Sequence, residues 1–204
     1  MKPGKPHKRE PLKMPLFLPA TAPKNSRVMI FVDGENLAIR YKSELEGNQP
    51  HSHVKYAPDV YVWSPYISRI HGPENYIRRY YYTSTPGDKG QIEKTENELL
   101  KTGIDAPRIF HKTKGTRSKG VDIKLATEML THAHRKNYDI AVLVSGDGDY
   151  VPLVEAVQNE GRQVVLWALK SGLNPALRKT CDHYWDIGEA LFRQEDPAFR
   201  EIYY

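Results

Sequence analysis

Two apolar runs end in acids. RVMIFV (27–32) leads into Asp33-Gly34-Glu35-Asn36, and DIAVLVS (139–145) leads into Gly146-Asp147-Gly148-Asp149-Tyr150. Neither run alternates apolar with polar, the pattern of a strand buried on both faces of a parallel sheet. In open α/β sheets the functional groups gather at the carboxyl ends of the strands, where strand order reverses. Asp33, Asp147 and Asp149 are therefore expected on one edge, although far apart in the chain. A fourth acid comes from VDIKLATEMLTHAHRKN (121–137), which reads as a helix. By 3.6-residue spacing Asp122 shares a face with Leu125, Ala126, Met129 and Ala133. A carboxylate on that stripe is costly unless paired, hydrogen-bonded or bound to a cation. Its place in the first turn sets it at the rim, facing the strand ends.

Carboxylates converging on one edge repel one another, and a divalent cation would let them coexist as anions. Oxygen donors, with no thiolate cluster and no HxxxH pair, point to Mg²⁺ or Mn²⁺ rather than Zn²⁺. Such an ion keeps open positions for phosphate oxygens and for a water that attacks phosphorus. That is phosphodiester hydrolysis without a nucleophilic side chain. Each acid also has a plainer reading. Asp33 can hydrogen-bond its own turn, Asp149 can cap the helix that starts near Tyr150, and Asp122 can complement a helix dipole.

The elements that must position these groups follow from periodicity. Strands are expected at 27–32, 76–84, 107–112, 139–145, 163–169 and 183–187. Helices are expected at 34–45, 91–103, 121–137, 149–161, 173–181 and 188–194. Residues 46–58 read as a loop. The segment 60–72 is ambiguous, because Pro65 either opens a helix or breaks a strand. Strands alternating with helices give an α/β fold with a mostly parallel central sheet covered by helices.

Composition sets the frame. With 204 residues, 39% hydrophobic and 27% charged, the chain suits one domain with attachments. No stretch approaches the roughly 20 apolar residues of a membrane helix. The single cysteine, Cys181, rules out an internal disulfide framework; a reducing interior such as the cytoplasm fits best, and Cys181 reads as an ordinary small residue in an apolar setting. The net charge of +5 is unevenly spread: residues 1–27 carry +6 and the rest −1. Residues 1–26 hold six prolines and read as a basic, disordered tail. Its apolar part, MPLFLPA, is too short and too proline-broken for a secretory signal. The expected organisation is this tail, a domain over 27–194 and a short tail over 195–204.

FVDGEN, KGVDIKLATEML and VLVSGDGDYVPLV, in this order, resemble an NYN domain of the LabA-like group, within the PIN-like nuclease superfamily. The resemblance runs from about Arg27 to Ile187. It implies a PIN-like three-layer α/β/α sandwich and a metal-dependent ribonuclease acting on single-stranded RNA. Carried onto matching positions, it implies metal-site roles for Asp33, Asp122, Asp147 and Asp149, with Asn36 as an auxiliary polar group. It also makes a homodimer an expectation. The family often has a further acid where this chain has Glu128, which by helix geometry faces away from Asp122. The segment 46–75 is longer than a minimal domain needs and would shape access.

Lys112, Lys114, Arg117 and Lys119 stand in an acid-free loop just before Asp122. Cations there could hold the phosphates flanking a scissile bond, or the loop is simply solvated. Tyr80, Tyr81 and Tyr82 alternate sides of a strand and read as core rather than as a base-stacking platform. His132 and His134 read as surface residues. Two further functions stay open: an RNA- or protein-binding module that keeps the fold without cutting, and a small-molecule phosphohydrolase. The latter commonly uses a DxD pair after the first strand, and this chain has Asp33-Gly34-Glu35 instead.

Overall fold

The strand β1 (Val28–Asp33) is buried along its whole length and forms the middle of a six-stranded, all-parallel sheet. The computed structural model describes residues 25–69, 76–112 and 120–193. The expected N- and C-terminal tails, apart from the few residues at their inner ends, and most of the basic loop lie outside them. The other strands of the sheet are β4 (Tyr76–Thr85), β5 (Ala106–His111), β6 (Ile140–Val144), β7 (Gln163–Ala168) and β8 (His183–Asp186), in the order β5-β4-β1-β6-β7-β8. From β1 the chain builds outward through β4 to β5, then crosses to β6 and builds the other way. Strand order therefore reverses between β1 and β6, and the crevice of such a sheet opens at that point.

Helices cover both faces. Val28, Ile30 and Val32 pack beneath α1 (Gly34–Glu44), α3 (Lys89–Lys101) and α7 (Gly188–Leu191). Met29 and Phe31 pack beneath α4 (Val121–His134), α5 (Val151–Asn159) and α6 (Pro175–Thr180). By the two-residue alternation of a strand, Asp33 belongs to the second face. Leu125 and Met129 of α4 are fully buried there; truncating either to alanine costs about 2–5 kcal/mol.

The ambiguous segment resolves into β3 (Tyr61–Trp63) and α2 (Pro65–Arg69), so Pro65 opens a helix. The expected loop before it contains a short strand, β2 (Lys55–Ala57), antiparallel to β3. Three residues are too few to show a period. The Tyr81 hydroxyl donates to the Val62 carbonyl at 3.1 Å and accepts from the Val62 N–H at 3.0 Å, fastening this hairpin to the sheet. The Tyr81 ring also reaches Gly34: a Cβ there would stand 2.1 Å from the ring and 2.8 Å from the Tyr82 carbonyl. The terminal helix is shorter than expected, since Phe192 leaves it to pair with Pro50.

Tyr80, Tyr81 and Tyr82 are all buried, as a core reading requires. His132 departs from expectation. It is half-buried, 3.0 Å from the Tyr80 hydroxyl and against the Phe31 ring, because α4 turns that side toward β4. His134 is exposed beside Glu160. Cys181 is buried, and burial pushes its thiol up to about 12, which leaves it a poor nucleophile. No helix of the described residues is long and apolar enough to cross a membrane.

Candidate active site at the sheet crossover

Asp33 ends β1 and caps α1. Its backbone is extended (φ −77°, ψ 91°), and its Oδ1 accepts the Asn36 N–H at 3.1 Å. Its Oδ2 accepts the Ser145 hydroxyl at 3.1 Å from the end of the adjoining strand β6. Asp33 is only 3% exposed. Burial pushes its carboxyl up to about 7, and the charge of Asp122 adds to that. Hydrogen bonds from Asn36, Ser145 and Tyr150 oppose the shift. No lysine or arginine among the described residues pairs with it.

Asp122 stands in the first turn of α4, where Gly120 provides no side-chain cap. It is exposed rather than buried in the apolar stripe. The buried line of α4 is Val121, Leu125, Met129 and Ala133, displaced by one position from the expected face. A residue one position further on is rotated about 100° out of that line, which puts Asp122 on the rim. Its Oδ1 accepts the Tyr150 hydroxyl at 3.3 Å. The same hydroxyl also faces Asp33, whose charge acts on it, so it stands between two carboxylates from separate elements. Burial first, and then both carboxylates, push the Tyr150 hydroxyl far above its usual range and keep it a donor.

The loop after β6 is tied to the same place. The Ser145 hydroxyl accepts the Asp147 N–H at 3.1 Å while donating to Asp33. Asn36 accepts the Gly146 N–H at 3.0 Å, so the auxiliary residue positions this loop. Asp147, not Asp149, is the cap. Its Oδ1 accepts the Asp149 N–H at 3.0 Å and starts a single 3-10 turn, Gly148–Tyr150, that leads into α5. Asp149 is exposed. The reason is local: the extra turn moves the N-terminus two residues earlier than apolar periodicity indicates.

Asp122, Asp147 and Asp149 line one open groove of about 470 Å³ between α4 and α5. Its remaining wall includes Ile123, Leu130 and Pro152. The acids do not form a ready-made cage. Among the described residues no group of three or more His, Cys, Asp or Glu is placed to hold a metal ion. Donor chemistry nevertheless fits a hard cation. All the candidate ligands are oxygen, and the buried Asp33 carboxyl faces a second carboxylate and has no lysine or arginine paired with it among the described residues. Magnesium is held through as few as one or two carboxylates, with waters completing its shell.

Of the basic loop, only Lys112 is described. Its Nζ is 3.8 Å from Glu35, which also accepts the Ser84 hydroxyl. Lys114, Arg117 and Lys119 lie outside the described residues. Glu128 is engaged elsewhere, accepting the Tyr82 hydroxyl at 2.7 Å and pairing with Lys124 at 2.9 Å, in keeping with its exclusion from the site. Sequence reasoning missed Tyr150 and Ser145. Their signal was adjacency alone, since both flank the two glycine-separated aspartates.

Residues 27–188 match the NYN domain family. The chain belongs to that family. NYN domains form part of the PIN-like nuclease superfamily and are generally ribonucleases. Among solved structures, the chain is similar to VPA0982, a Vibrio parahaemolyticus protein of unknown function. The TM-score is 0.61 and the identity 17%, over 83% of this chain and 98% of that one. At that identity the likeness shows the fold alone, a parallel sheet flanked by helices. A comparison with curated proteins found no match.

Proposed function

We propose that this NYN domain is a metal-dependent endoribonuclease that hydrolyses single-stranded RNA. One observation carries the reading. Asp33 and Asp122, from different elements, meet across the Tyr150 hydroxyl at the strand-order reversal, and burial makes the Asp33 charge unfavourable unless a cation arrives. Asp33 and Asp122 would hold Mg²⁺ or Mn²⁺, with Asp147 and Asp149 joining from the groove wall. When bound, the ion would supply a water poised to attack phosphorus and would offset charge on the leaving oxygen.

The chain's own groups do the rest. Tyr150 donates to Asp122 and faces Asp33, and so links the two acids. Ser145 orients the second oxygen of Asp33 and, through the Asp147 N–H, sets the loop that carries Asp147 and Asp149. Asn36 anchors the same loop at Gly146. The open groove admits a flexible single strand more readily than a rigid duplex.

A module that binds RNA or protein without cutting has one observation on its side, the lack of a three-acid cluster among the described residues. Labelled single-stranded RNA, double-stranded RNA and DNA incubated with Mg²⁺, Mn²⁺ or EDTA separate the two. Cleavage of single-stranded RNA that EDTA abolishes, and that Asp147→Asn removes without loss of fold, supports the nuclease. Identical residual activity in wild type and Asp147→Asn, or binding without cleavage in either metal, overturns it.

A further inference from the structure

On α1, Asn36, Arg40 and Glu44 recur every four residues and share one face. Asn36 accepts from Gly146. Glu44 accepts the Ser171 N–H at 3.1 Å and the Ser171 hydroxyl, both in the loop after β7. Arg40 lies between them, and its guanidinium rests on Gly172. A Cβ at Gly172 would stand 2.2 Å from the Arg40 Cζ, and Gly172 has a φ of +69°. The backbone conformation thus calls for glycine at 172, and the bare Cα lets the guanidinium settle directly on it. Gly172 in turn abuts the site loop: a Cβ on Gly146 would be 3.0 Å from the Gly172 carbonyl. One backbone segment therefore separates Arg40 from the residue before Asp147.

Among the described residues the Arg40 side chain makes no hydrogen bond and no ion pair, and its Nε is sealed from solvent without a partner. Three described cations around the strand ends are engaged: Lys112 with Glu35, Lys170 with Asp186 at 3.1 Å, and Lys124 with Glu128. Even Glu44, one turn from Arg40, gives its carboxylate to Ser171 instead. The Arg40 Nε alone is buried without a partner, and the two terminal nitrogens of the guanidinium are not sealed in with it. Its planar fork matches an anion with two or more oxygens.

We infer that Arg40, cradled on Gly172, holds a backbone phosphate of single-stranded RNA next to the bond being cut. The inference rests on the nuclease reading and adds a substrate contact on the β7 side of the site. The contact is to phosphate, so it fixes register and carries no base preference.

The test uses the full chain in EDTA, with a short fluorescein-labelled oligouridylate followed by anisotropy across a salt series. Arg40→Gln should bind about tenfold more weakly, with the slope of log affinity against log salt reduced by about 0.7, one single-strand phosphate contact. Arg40→Lys should restore the slope but not all of the affinity, since a point charge replaces the fork. Replacing single phosphates by neutral methylphosphonates should reveal one position that weakens wild type and leaves Arg40→Gln unchanged. If Arg40 only props the β7 loop, Arg40→Gln will lower the melting temperature while affinity and slope stay at wild-type values, and the inference is overturned. If wild type cuts RNA in Mg²⁺ or Mn²⁺ yet every methylphosphonate penalises wild type and Arg40→Gln equally, the inference fails alone. If wild type neither binds nor cuts, both readings fail.

Discussion

At the amino end of β6, Asp139 receives the Arg27 guanidinium at 2.9 Å and that of Arg162 at 3.1 Å. The Arg27 hydrogen bond, chiefly, holds its carboxyl below the usual range. At the carboxyl end of the neighbouring β1, Asp33 is more deeply buried, and its carboxyl is pushed up to about 7. Both aspartates lie beside strands of one sheet, and both accept backbone N–H groups. The difference is the counter-charge. The amino end is electrostatically complete, as is Glu128 with its Lys124 and Arg108 partners. The carboxyl end keeps a buried acid with no lysine or arginine partner among the described residues, where the proposed nuclease would hold its cation. Ion pairs that complete a structure and acids that await a ligand are told apart by what surrounds them, not by residue type.

The sharpest way to break this comparison is to neutralise the incomplete end. Asp33→Asn should lower cleavage by about a thousandfold or more, since the several kcal/mol of transition-state stabilisation that a bound ion supplies would be lost. The fold should survive, because the asparagine carbonyl still accepts from the Asn36 N–H and its amide can donate to the Ser145 hydroxyl oxygen; single-turnover cleavage and circular dichroism check both halves. A protein that still cuts at the wild-type rate would place the chemistry elsewhere.

Next in size is a pH effect on the metal-free protein. The native pKa of Asp33, about 7, lies above its unfolded value of about 4. The native state therefore holds the proton more tightly, and this contribution is complete below about pH 4 and lost as pH rises through 7. The loss is at most about 4 kcal/mol by linkage. Urea titrations in EDTA from pH 4 to 8 should show the decline, and Asp33→Asn should flatten it. Mn²⁺ should offset it above pH 7, with tighter metal binding as pH rises and protons released on binding.

Tyr150→Phe tests the hydroxyl between the two acids. Its hydrogen bond lowers the Asp33 pKa, so its removal should move the acid limb of the pH–rate profile upward. Cleavage at neutral pH should fall by about tenfold, the scale of losing a group that orients a ligand. The smallest effect belongs to the complete end. Arg27→Ala should lower the urea midpoint only slightly, because the pair is exposed and screened. Its pH–rate profile should match wild type. A shifted profile would mean that the two ends are coupled.

Much of this arrangement was legible in the chain. Unbroken apolar runs gave the buried parallel strands, and the carboxyl-end rule put Asp33 and Asp147 on one edge. The α4 stripe was read one position off. Asp122 and Val121 both fit a 3.6-residue period, and only packing against β1 and β4 selects Val121. The cap was assigned to Asp149 because a single 3-10 turn carries no periodic signal. Arg40 was invisible for another reason. Amid the charges of α1 it looks like any solvated residue, and only the approach of Gly172 from 132 positions away gives it a place.

Gly34 extends the point to sequence drift. Its need for glycine comes from the Tyr81 ring and the Tyr82 carbonyl rather than from a left-handed backbone. Tyr81 in turn fastens the β2–β3 hairpin through its hydroxyl. The smallest residue beside the site and an aromatic ring in the neighbouring strand β4 are thus sterically coupled. In a library randomised at both positions, any larger residue at 34 should survive only with a smaller one at 81. Those survivors should lose the hairpin's anchor, and protease nicking between residues 46 and 64 would report that exchange.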